Sequence, residues 1–126
     1  MYRAYGLLQP TSNFSLATAA LKLADKFPGY RIAEEGQRIT VSKGDWEIHL
    51  TLNDGPEVLE ESQTLAEQLS DGEEGAKMAS SASRVEVYSD APDKELEHFN
   101  DYLGMIEVLT SFRGLIAVDP EEPSLL

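Results

Sequence analysis

Glu95, His98, Asp101 and Tyr102 stand three or four residues apart, the spacing that brings side chains onto one face of a helix. An imidazole flanked by carboxylates is equipped for proton transfer near neutral pH, so His98, with Glu95 and Asp101, is the candidate acid–base group. The Glu95-x-x-His98 spacing is also half of a helix-borne metal site, but such sites draw further ligands from a second segment. The other histidine, His49, falls on the polar face of a predicted strand, and no metal or cofactor is expected. Other catalytic vocabulary is missing. The chain has no Gly-rich phosphate loop, no G-x-S-x-G elbow and no H-E-x-x-H pair. With 0 cysteines there is no thiol nucleophile, disulfide or thiolate metal site.

The second set of candidate residues is acidic. The 126 residues carry 23 acids against 10 bases, a net charge of -13. Residues 1–53 hold six bases and five acids, whereas residues 54–126 hold four bases and 18 acids, so the second half carries essentially all of the charge. A field of that sign repels phosphate backbones and argues against nucleic acid. It suits a basic protein partner, which it would steer and hold. Glu60, Glu61, Glu73 and Glu74, within the run from Glu57 to Glu74, are the residues expected to meet such a partner. Trp46, at the start of a strand, is either core or an aromatic anchor for the same contact.

The elements that position these residues follow from hydrophobic period. Met1–Leu8 is a predicted strand, stopped by Pro10. Phe14, Ala17, Ala20, Leu21, Ala24 and Phe27 recur at helical spacing behind the capping residues Thr11-Ser12-Asn13, and Pro28-Gly29 closes that helix. Residues 30–34, 38–42 and 45–53 alternate with period two across two short Gly-containing turns, which predicts an antiparallel meander. Pro56 opens a second helix, with Val58, Ser62, Leu65, Ala66 and Leu69 inward and its end near Ser70. Residues 71–81, rich in glycine, acid and small side chains, read as a surface loop with room for one ragged helical turn around Ala76–Ala79. Arg84–Tyr88 is a strand. A third helix is expected to bury Leu96, Phe99, Leu103, Ile106, Leu109 and, a turn later, Phe112. Leu115–Val118 is a covered strand, and 119–126, with two prolines, an extended tail.

This order, β-α-β-β-β-α-β-α-β, predicts one domain over residues 1–126. Its fold class is α+β: a two-layer sandwich of a mixed, mainly antiparallel sheet with helices on one face. No apolar run approaches the length of a membrane span and the N-terminus lacks a signal-peptide layout, so a cytoplasmic protein is expected. Three functions fit. The first is an adaptor- or immunity-like protein binding a basic partner through its acidic half. The second is a small-molecule binder or modest acid–base enzyme with a pocket between sheet and helices. The third is a self-associating structural protein, a homodimer through a sheet face or edge.

Overall fold

The computed structural model describes residues 2–69 and 72–126. It is an α+β fold built on one seven-stranded sheet. The strands are β1 (Arg3–Leu8), β2 (Arg31–Glu35), β3 (Arg38–Lys43), β4 (Trp46–Asn53), β5 (Ser83–Tyr88), β6 (Leu115–Asp119) and β7 (Ser124–Leu125). The helices are α1 (Leu16–Lys26), α2 (Glu57–Leu69), α3 (Gly72–Ala79) and α4 (Phe99–Thr110). The strand order is β2-β3-β4-β5-β1-β6-β7, and every pairing is antiparallel, where a mixed sheet was expected. The meander β2-β3-β4 forms as its alternation dictates. Gly36 and Gly44 supply the positive φ its two turns require, 60° and 61°.

Strand alternation sends two residue sets to opposite sides of the sheet. Ala4, Leu8, Ile39, Val41, Ile48, Leu50, Val85 and Val87 point to one face, and Ala19, Ala20, Leu23 and Phe27 of α1 with Met105, Val108 and Leu109 of α4 close over them. That interface is filled with core side chains. Leu7 and Val118 point to the other face, where Leu65 and Ala66 of α2 and Met78 of α3 cover them. The helices therefore lie on both faces, not one. The hairpin α2–α3 covers only the β5-β1-β6 end of its side.

In α1 the inner side is rotated from the expected stripe, with Ala17, Leu21 and Ala24 exposed and Ala19, Ala20 and Leu23 buried. Three further segments differ from expectation, each for a local reason. Residues 72–79 are helical where a loop was read, because Met78 and Gly75 are buried against the second face and hold the turn in place. Acids Glu73 and Glu74 in its first turn and Lys77 in its last also suit the helix dipole. Ser70, the expected end of α2, and Asp71, the expected start of that loop, lie outside the described residues.

The second departure is the rotated stripe of α4. The Asp93 carboxylate accepts hydrogen bonds from the backbone N–H of Glu97 (3.1 Å) and His98 (2.8 Å), and Leu96 has φ of 57°, so 93–98 is a turn. The helix begins only at Phe99, and Leu96, Phe99 and Leu103 are exposed at 64%, 42% and 40%. Gly104 stands on the inward side. A Cβ there would lie 2.8 Å from Cζ of Phe27, so glycine is what lets α4 approach α1. The third departure is the tail, which folds back through residues 120–123 so that β7 pairs with the end of β6.

Candidate functional site

His98 is the N-terminal cap of α4, and Asp101 sits in its first turn. His98 Nδ1 lies 3.1 Å from Asp101 Oδ2, and Asp101 Oδ1 accepts a hydrogen bond from the Tyr30 hydroxyl at 2.8 Å. The pair expected from spacing is thus formed. Glu95 does not join it, because the helix starts after Glu95, which is exposed in the preceding turn. The imidazole stacks on Trp46 with ring centroids 4.3 Å apart and planes 2° from parallel. Tyr2 meets Trp46 edge-on at 6.1 Å and stacks on Tyr102 at 4.8 Å. Its hydroxyl donates to Asp93 at 2.6 Å.

Tyr2, Asp93 and Tyr30 titrate away from their ordinary values. Burial, reinforced by the hydrogen bond to Asp93 and its negative charge, pushes the Tyr2 phenol up to about 12. Desolvation works to raise the Asp93 carboxyl, but the bonds from Tyr2 and the His98 and Glu97 amides, with the His98 charge, hold it below the carboxylate range. The hydrogen bond to Asp101, then burial, raises the Tyr30 phenol. This is a tied aromatic–carboxylate cluster in which Tyr2 and the 97–98 amides bond Asp93 while Tyr30 and His98 bond Asp101. Trp46 Nε1 is buried without a partner. At 6% exposure Trp46 is core, so the anchor role considered for it is not available on this surface.

The acidic residues lie elsewhere, on the layer made by α2 and α3. Glu60, Glu67, Glu73 and Glu74 are exposed there. Glu73 faces Lys77 one turn on, at 3.9 Å. Glu61 differs from the rest: it is an ion-pair partner of Arg84 at 3.1 Å. Between the helices runs a shallow groove of about 400 Å³, floored by Ala66, Gly75, Ala76 and Ala79 and walled by Gln63 and Glu67.

Arg84 is the center of a network that spacing did not reveal. Its guanidinium is buried, bonds Glu86 at 2.7 Å as well as Glu61, and lies 4.1 Å from the Tyr5 ring centroid. Asn53 bridges Glu86 (2.9 Å) to Glu57 (3.2 Å). Backbone and Asn53 hydrogen bonds hold the Glu57 carboxyl below its ordinary value. The pairing of β5 with β4, which sets Asn53 opposite Arg84, and with β1, together with the docking of α2, brings these residues together. The β4–β5 pairing also sets His49 opposite Tyr88. Although on the polar side of β4, His49 is 4% exposed, held between the Thr40 hydroxyl (2.9 Å) and Asp90 (3.2 Å). Beside it, Arg3, Tyr5, Glu86, Tyr88 and Asp90 line an open depression of about 360 Å³ on the part of the sheet that α2–α3 leaves uncovered.

Among the described residues no group of three or more metal-ligating side chains converges, and no helix is long and apolar enough to cross a membrane. Comparison with protein-family models, curated proteins and solved structures gave no match.

Proposed function

We infer that this chain is a cytoplasmic protein-binding module that takes a basic protein partner on the outward side of α2–α3. The observation that carries this reading is the state of the acids on that layer. Glu60, Glu67 and Glu74 are exposed and have no cationic partner among the described residues, so their charge is directed to solvent rather than spent inside the fold. The groove beside Glu67 has a floor of small side chains, which accommodates the aliphatic stem of a lysine or arginine while its head meets carboxylate. Glu61 belongs to the support of this surface through Arg84.

The test is capture from native lysate on wild type and on the variant Glu60→Gln, Glu67→Gln, Glu73→Gln, Glu74→Gln, each washed at low and high salt. The reading requires a basic protein held by wild type, released by salt and absent from the variant. A blank at both salts, or equal capture by the variant, contradicts it.

A second reading has one specific observation behind it, the depression beside buried His49. It is a small-molecule site with the Asp90 carboxylate, bonded to His49 behind it, as the acid–base group. It differs from the expected pocket between sheet and helices, a space the core fills. A ligand protecting the protein against heat in wild type but not in Tyr88→Ala would favor this reading over the first.

A further inference from the structure

The two edges of the sheet are treated differently. At one edge, β6 is continued by the two-residue β7, preceded by Pro120 and Pro123, a short strand that offers little to extend. At the other, β2 presents five residues, Arg31-Ile32-Ala33-Glu34-Glu35, with no proline and, among the described residues, no strand beyond it. Leu52 N–H donates to Gln37 C=O at 2.9 Å, so odd-numbered β3 residues bond toward β4 and Arg38, Thr40 and Ser42 bond toward β2. Their partners Glu35, Ala33 and Arg31 consequently turn their N–H and C=O inward. Those of Ile32 and Glu34 are left facing out of the sheet.

We propose that two copies of this chain join antiparallel through their β2 edges, about a two-fold axis at Ala33, into one continuous sheet. In this register Ile32 and Glu34 of each copy exchange backbone hydrogen bonds with Glu34 and Ile32 of the other, using the outward groups. Ala33 meets its own copy at a closely spaced non-hydrogen-bonded pair, where a methyl group fits. On either side Arg31 stands opposite Glu35 of the second copy, and the two-fold axis makes that match twice. The neighboring permitted registers lose it: one sets Glu34 against Glu34, the other sets Arg31 against Ala33. Charges on an edge strand usually keep other strands away; here their order makes the strand complementary to itself. Arg31 has no carboxylate partner among the described residues, and Glu35 has only the exposed Arg38 at 3.9 Å.

A five-residue edge is at the small end of specific interfaces, so association is expected in roughly the ten to hundred micromolar range. Sedimentation equilibrium of the full chain should show a shift from 13.9 kDa to twice that mass as concentration rises. Arg31→Glu and Glu35→Arg each turn two matched pairs into repelling ones and should weaken association about tenfold or more. The double exchange should restore it. Glu34→Pro, which removes only an outward N–H, should abolish it while circular dichroism stays native. A chain that stays monomeric to about 1 mM, or a dimer indifferent to all four variants, overturns the proposal.

Discussion

Arg84→Ala is the substitution for which the structure sets the firmest expectation. The guanidinium is 5% exposed and is the one cation bonded to both Glu86 and Glu61, whose side chains are 22% and 45% exposed. Removing one member of a buried pair costs about 3–5 kcal/mol, since the charge left behind keeps its desolvation. Glu61 can turn to water, which discounts its share to that of a surface pair. The stacking on Tyr5 adds about 0.5–1 kcal/mol. The expected loss is therefore about 3 kcal/mol, a large part of the roughly 5–15 kcal/mol that holds a domain of this size. Urea unfolding followed by circular dichroism should show a lower midpoint with unchanged slope. The paired variant Arg84→Met, Glu86→Gln, which removes the charge on both sides, should recover most of the loss. If Arg84→Ala costs under about 1 kcal/mol, the pair behaves as a surface pair and the reasoning is refuted.

Ser62 is fully buried with an unpartnered hydroxyl, so Ser62→Ala should leave thermal stability unchanged or raise it by up to about 1 kcal/mol. Gly114 has φ of 70° and a Cβ there would lie 2.7 Å from the backbone of Ser12, so Gly114→Ala should lose at least about 2 kcal/mol in the same urea assay. Asp93 and Glu57, held below the carboxylate range when folded, contribute stability that is complete above their unfolded values. That contribution is lost as pH falls through the folded values, and Asp93→Asn should reduce the steepness of acid unfolding. The Tyr2 phenol has the opposite sense. Its contribution is complete below 10.0 and lost toward about 12, and in Asp93→Asn the tyrosinate absorbance of Tyr2 should appear at lower pH.

The meander, the existence of α1 and the phase of β4 were legible because one covered face imposes alternation or a helical stripe. Period misplaced the stripe of α1: Ala17, Leu21 and Ala24 are exposed, and Ala19 and Leu23 join Ala20 in the core. In β4, Trp46, Ile48 and Leu50 are all buried as their shared phase requires. Residues 72–79 were not legible, since two glycines and three alanine or methionine side chains carry too little apolar signal without the sheet face they meet. Period placed Ile106, Leu109 and Phe112 correctly but misplaced the first part of the α4 stripe. Leu96, Phe99 and Leu103 match helical spacing, but the turn at 93–98 starts the helix late, and Met105, Val108 and Leu109 take the core. Of the candidate residues, His98 and Asp101 meet because they share one helical turn. Arg84, Glu86, Asn53 and Glu61 could not be grouped beforehand, being contributed by three elements that only strand register and α2 docking bring together.

The central claim is that the outward side of α2–α3 is the working surface, and amide-exchange footprinting tests it most directly. With decalysine as the basic probe at low salt, the account predicts added protection confined to 57–69 and 72–79. That protection should vanish at high salt and in the four-glutamine variant. Protection centered on Tyr5, Tyr88 and Asp90, or no change along the chain, would contradict it.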